Sequence, residues 1–217
     1  MVPHSLQKRA ITKDEINALP RMSYDGHIHV VDSDAKMHAA VKALGAEKVL
    51  GFDTETRPAF RAGEAYPPAL VQLAARDSVY IFQLAHITSY GPLAGIMADK
   101  RVLKAGVAVR DDIVKLGTLF TFKPAGFVEL ADMRVKLGIT NAGLRGLAAL
   151  LFGFKISKRA KISRWDASVL TQEQIVYAAT DAWICREIYF ALQAILRGKV
   201  RQTAGSRPAN KGVVRGK

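Results

Sequence analysis

The chain has 217 residues, 49% of them apolar and 24% charged, which is the balance of one soluble globular domain rather than of a disordered or fibrous protein. No stretch approaches the ~20 consecutive apolar residues that a membrane helix needs, the longest candidate being residues 147–154, and Cys185 has no second cysteine with which to form an intrachain disulfide. Lys and Arg outnumber Asp and Glu by 32 to 19, a formal net charge of +13, which favours a polyanionic partner because each neutralised phosphate releases condensed counterions.

Residues 12–19 are predicted to form a short helix, opened by the capping box Thr12-x-x-Glu15 and closed by Pro20. It belongs to an N-terminal extension, residues 1–26, that lacks the apolar core of a signal peptide, so a cytoplasmic protein is expected. Residues 27–33 (HIHVVDS) then read as a strand and residues 34–44 as a helix ending at Gly45. Residues 48–54 (KVLGFDT) are predicted to be a buried strand. The runs 69–75 (ALVQLAA) and 79–84 (VYIFQL) read as two more, with a tight turn at 76–78. Three consecutive strands with short links predict an antiparallel stretch of sheet.

Further on, a helix over 90–98, a strand over 102–107 and a helix over 111–119 alternate as βαβ units do. Residues 127–132 (FVELAD) are expected to be a strand, 141–151 an apolar helix and 153–169 irregular. The last helix is expected over 172–196, with Thr171 as N-cap and Gln174 completing a second capping box. After it comes a basic tail, residues 198–217, expected to be disordered. Its GKVRQTAGSRPANKGVVRGK carries six Lys or Arg and no acid, leaving 26 cations against 19 acids, or +7, on the rest of the chain.

Four acids stand out against this background. Asp53 and Glu55 lie two apart in a strand, so both point to one face roughly 6.5 Å apart. Carboxylates next to Val49, Leu50 and Phe52 call for a metal ion unless the strand ends at Phe52 and leaves them as solvated loop residues or partners of Arg57. Asp112 follows an apolar strand at the entry of a helix, where an acid is also a plain cap and where Asp111 competes for either role. Asp181 sits in the apolar run IVYAATDAWI, and Tyr177, four residues earlier, shares its helical face. Taken singly, Tyr177 is as well explained as a core aromatic. Lys155, Lys158, Arg159, Lys161 and Arg164 precede the last helix and suit a phosphate backbone. Trp165 is either a platform for a base or, the preferred reading, a core aromatic that pins the loop to the sheet.

FDTETRP, with Asp53 and Glu55, resembles the first motif of the DEDD exonuclease superfamily. GVAVRDD, with Asp112, resembles the second, and LTQEQIVYAATDA, with Tyr177 and Asp181, resembles the third in the Tyr-x-x-x-Asp form of the DEDDy subgroup. The likeness is to the branch of ribonuclease D and the Werner syndrome protein exonuclease domain. It extends over about residues 27–196 and includes ALVQLA and SRWDASVLT. In the second motif Asp112 is matched because it stands six residues after Gly106, with Asp111 as the fallback.

The resemblance implies an α/β, ribonuclease H-like fold: a mixed sheet of five or six strands flanked by helices on both faces, forming an exonuclease domain over residues 27–197. It also implies 3′ to 5′ hydrolysis of terminal phosphodiesters of DNA or RNA by two divalent cations, Mg²⁺ or Mn²⁺, with release of nucleoside 5′-monophosphates. Asp53, Glu55, Asp112 and Asp181 would hold the ions and Tyr177 would orient the attacking water. Backbone around Thr54 to Thr56 would meet the 3′-hydroxyl; beside the resemblance, the residues themselves offer Lys158, Arg159 and Arg164, with Trp165 if it stacks a base, to the rest of the strand. A catalytically silent nucleic-acid-binding module of the same fold is the alternative. Neither the substrate sugar nor the oligomeric state follows from the sequence.

Overall fold

The computed structural model of the chain describes residues 8–61 and 63–205. Helix α1 (Lys13–Ala18) is capped as the sequence requires: Glu15 N–H donates to Thr12 Oγ1 at 3.2 Å and Thr12 N–H donates to Glu15 Oε2 at 2.8 Å. Then follow β1 (His27–Val31), α2 (Asp34–Leu44), β2 (Val49–Thr56), β3 (Pro68–Ala74), β4 (Ser78–Gln83), α3 (Gly91–Ala98), β5 (Leu103–Gly106), α4 (Val109–Leu116), β6 (Phe127–Glu129), α5 (Leu130–Lys136), α6 (Leu144–Phe152) and α7 (Gln172–Gly205). Single 3-10 turns at Leu84–His86 and Arg159–Lys161 complete the described elements.

The strands form one mixed sheet in the order β1-β4-β3-β2-β5-β6. β2, β3 and β4 are antiparallel neighbours as expected, while β1 joins β4, β5 joins β2, and β6 joins β5 in parallel. Parallel neighbours need a crossover helix to bring the chain back, and that is what places helices on both faces. On one face Met37 and Leu44 of α2, Leu93 and Met97 of α3 and Leu116 of α4 bury Leu50, Phe52, Val71 and Phe82. On the other, Leu130 of α5, Leu147 and Leu151 of α6 and Ile184 and Ile188 of α7 cover Val49 and Ala105. No helix among the described residues is long and apolar enough to cross a membrane.

Three expectations are corrected. The strand expected over 127–132 stops at Glu129, whose carboxylate accepts the N–H of Ala131 at 3.0 Å and of Val109 at 3.0 Å; one acid thereby caps the starts of both α5 and α4. The link between β2 and β3 is the eleven-residue stretch 57–67 rather than a short turn. Finally, α7 continues to Gly205, past the expected end at 196, and residues 206–217 of the basic tail lie outside the described residues.

Lys104, fully buried in β5, ties that strand to the end of α3. Its ammonium donates to the carbonyls of Ile96 at 3.0 Å, Asp99 at 2.8 Å and Val102 at 2.8 Å, and burial pulls its pKa down to about 8. All three donors are used, so its role is structural.

Gly51 sets the depth at which α7 lies on the sheet. A Cβ there would drive into the backbone carbonyl of Ala182 and come within 2.9 Å of the Arg186 amide nitrogen, so only glycine lets helix and strand backbones approach this closely. Because both obstacles are backbone, relief requires moving α7. Gly51→Ala should therefore lower stability by about 1–3 kcal/mol, or ~2–4 °C of melting temperature per kcal/mol in a domain of this size. Thermal unfolding followed by circular dichroism reads this directly; an unchanged melting temperature would contradict the close-contact account.

Candidate active site

β2 is buried on both faces through Phe52 and becomes half-buried from Asp53 to Thr56, where a bulge between Glu55 and Thr56 shifts its pairing with β3. Alternation sends Leu50 and Phe52 toward α2, α3 and α4, and sends Gly51, Asp53 and Glu55 toward α7. Through the close contact at Gly51, the turn of α7 carrying Asp181 lies over this end of β2. One oxygen from each of Asp53, Glu55 and Asp181 falls within 4.8 Å of the others. The strand pair and the helix residue thus meet, and the competing reading of Asp53 and Glu55 as loop acids paired to Arg57 does not hold: Arg57 binds Asp166 at 3.2 Å instead.

Asp112 approaches from the other side of β2. Ala108 adopts a left-handed conformation (φ 60°), the only non-glycine among the described residues with positive φ, and turns the chain from β5 into α4. On the first turn of α4, Asp112 is half-buried and accepts a hydrogen bond from Thr54 Oγ1 at 2.7 Å, whereas Asp111 is exposed. Of the two, Asp112 is the acid that faces β2. Thr54, expected to act through its backbone, also holds this acid through its hydroxyl.

Crowding of like charges governs the electrostatics. Burial, then the charges of Asp181, Glu55 and Asp112, push the Asp53 carboxyl well above the usual carboxylate range. Burial also raises Asp112, against the opposing hydrogen bond from Thr54. Burial and the neighbouring carboxylates raise the Tyr177 phenol, which is hydrogen-bonded to Asp181, so it stays protonated at neutral pH. Acids that repel one another in a half-buried site, and that offer only oxygen, suit a hard divalent cation.

The remaining expected residues divide. Trp165 is 1% exposed and tilts against Tyr177 at 5.8 Å between ring centroids, so it forms a wall behind the tyrosine and has no free face for a base. Arg164 is exposed and lies 3.7 Å from Asp166. Lys158 and Arg159 are exposed; Arg159 lines the same cleft as Tyr177 and Asp181, while the side chain of Lys161 lies outside the described residues. Thr56 lies beyond the bulge on a separate cleft with Tyr66 and Lys115.

One polar group went unremarked in the sequence. Gln72 pairs directly with Asp53 across β2 and β3 and therefore points to the same face. It is fully buried, and neither amide atom has a hydrogen-bond partner. A lone amide inside ALVQLAA was the available signal. Cys185, one turn beyond Asp181, is buried among apolar side chains, with its thiol pushed up by burial.

This arrangement, acids from a central strand and from two helices of a ribonuclease H-like sheet, is that of a nuclease fold. A family model described as 3′-5′ exonuclease matches residues 28–197, and the chain belongs to that family. It is 34% identical over 148 residues to the mouse (Mus musculus) bifunctional 3′-5′ exonuclease/ATP-dependent helicase WRN, covering 65% of this chain and 10% of that protein. Identity to ribonuclease D of Gluconacetobacter diazotrophicus is 30% over 164 residues, covering 74% of this chain and 41% of that one. The chain thus spans less than half of either relative. The crystal structure of the Aedes aegypti Nibbler EXO domain superposes with a TM-score of 0.74 at 26% identity, covering 82% of this chain and 94% of that one.

The raised acids predict how the metal-free protein responds to pH. A carboxyl whose folded pKa exceeds its unfolded value binds more protons when folded, so stability is greatest in acid and falls as pH rises through that window. Asp53→Asn removes the charge and should raise the melting temperature at neutral pH in EDTA by at least ~2 °C, about 1 kcal/mol in a domain of this size. The gain should shrink toward pH ~4, where the wild-type acid is itself protonated. A variant less stable than wild type at neutral pH would show that the acids do not strain one another.

Proposed function

We propose that the protein is a metal-dependent exonuclease that hydrolyses terminal phosphodiesters of nucleic acid from the 3′ end and releases nucleoside 5′-monophosphates. The observation that carries this reading is the convergence of Asp53, Glu55 and Asp181 within 4.8 Å in a chain of the 3′-5′ exonuclease family. Two divalent cations, Mg²⁺ or Mn²⁺, would supply charge for the attacking and leaving oxygens and lower the pKa of a bound water. Asp53, Glu55 and Asp181 would hold them together, and Asp112, held by Thr54 beside Asp53, would complete the set of ligands.

Tyr177, protonated and backed by Trp165, orients the attacking water by a hydrogen bond. Backbone at Thr54 to Thr56 accommodates the terminal 3′-hydroxyl, which is what confines the enzyme to ends. The basic chain attracts the polyanion before any specific contact forms. A cytoplasmic location is part of the proposal, consistent with a lone, buried Cys185.

Incubation of a 5′-labelled oligonucleotide with the protein and Mg²⁺ or Mn²⁺ tests the reading. A ladder shortening from the 3′ end is expected, abolished by EDTA and reduced about a thousandfold or more by Asp53→Ala. Tyr177→Phe should lower kcat about a hundredfold or more while leaving divalent-ion affinity intact. Binding without cleavage would instead identify a silent nucleic-acid-binding module, and cuts within a circular substrate an endonuclease.

A further inference from the structure

The segment before the family domain is built into the site. Tyr24 N–H donates to Thr180 Oγ1 at 3.0 Å, one residue from Asp181, and the Tyr24 ring packs against Trp183 at 5.8 Å. Residues 20–22 pair with the loop before α7: Lys155 N–H donates to the Pro20 carbonyl at 2.9 Å and Met22 N–H to the Lys155 carbonyl at 3.0 Å. Farther back, the Asn141 side chain clamps the Ile11 backbone with two hydrogen bonds of 2.8 and 2.9 Å. These are the contacts of a docked strap, and the family match begins only at residue 28.

The strap completes a cationic groove that opens onto the acids. Arg21 and Arg159 line, together with Tyr177 and Asp181, the cleft beside α7, and the same two arginines line an adjoining cleft with Arg145, Lys155 and Lys158. None of these five cations forms an ion pair with a described residue. Arg145 donates to Asn17 Oδ1 at 3.0 Å and Lys155 to the Asn17 carbonyl, which positions both without neutralising them. The one acid of the two clefts outside the candidate site is the exposed Glu173. Five positive charges gathered with none of them in an ion pair repel one another, and a polyanion threaded through the groove relieves that repulsion.

We infer that the N-terminal strap, the first turn of α6 and the loop before α7 form a phosphate track, in which Arg21, Arg145, Lys155, Lys158 and Arg159 hold the sugar–phosphate backbone of the nucleotides upstream of the scissile bond. This rests on the exonuclease reading for its direction, since the strand must leave the acids along the groove, but its binding component can be measured without catalysis. The track reads charge and spacing rather than bases. Arg21 makes the strap a part of the binding surface and not a linker to it.

Fluorescence anisotropy of a 5′-labelled single strand, measured in EDTA so that nothing is hydrolysed, tests the track. Arg21→Glu should weaken binding by about tenfold at low salt and reduce the slope of log affinity against log salt by about 0.7, the value of one single-strand phosphate contact. Arg21→Glu with Lys158→Glu should reduce it by about 1.4. Arg76→Glu, the same charge change at the exposed β3–β4 turn, should leave the slope unchanged and so control for net charge. Arg21→Lys, which keeps the charge and disturbs the strap least, should retain most of the affinity. A slope equal to wild type in a double variant with a wild-type melting temperature would overturn the track. Wild-type protein that binds with the expected slope but degrades nothing would retain the track and reject the exonuclease reading; degradation with variants indistinguishable from wild type would do the reverse.

Discussion

Three carboxylate side chains brought within 4.8 Å repel one another, and the rest of the structure is organised around making them meet. Asp53 suffers most, with burial and three acidic neighbours all disfavouring its charge. A fold that keeps such a cluster carries a local destabilisation that a divalent cation relieves. The cluster thus has the chemistry of one half of an ion-binding interaction, the other half being a charge from outside the chain.

The scaffold provides this at the level of backbone. Gly51 lets α7 descend onto β2 until Asp181 reaches the oxygens of Asp53 and Glu55. A left-handed Ala108 and the Glu129 cap start α4 where Asp112 faces Thr54. Trp165 supports Tyr177 from behind, and the strap through Tyr24 and Thr180 fixes the same turn of α7 from outside. Asp181 comes from a segment more than a hundred residues from Asp53 and Glu55, so a small shift of α7 separates it from them. Rigid elements rather than loops carry the backbones of all four acids, which is what precise placement of metal ligands requires.

Much of this was legible in sequence because the periods are local. The i, i+2 spacing of Asp53 and Glu55 and the i, i+4 spacing of Tyr177 and Asp181 placed each pair on one face, and both capping boxes formed as expected. FVELAD misled because three residues of strand run straight into a helix, and only the through-space bonds of Glu129 decide where one stops. Spacing from Gly106 put Asp112 ahead of Asp111, and it is Asp112 that accepts the Thr54 hydroxyl. Gln72 showed only as a lone amide in an apolar run, and the docked strap not at all, because their meaning lies in contacts with Asp53 and Thr180, far away along the chain.

Calorimetric titration of Mn²⁺ into metal-free protein at neutral pH addresses the central claim most directly, because it asks whether the gathered carboxylates hold cations irrespective of any substrate. The account predicts two bound ions per chain for the wild type and loss of at least one on Asp181→Asn, with the variant still folded. No Mn²⁺ binding by the wild type, or a variant that binds as the wild type does, would contradict it.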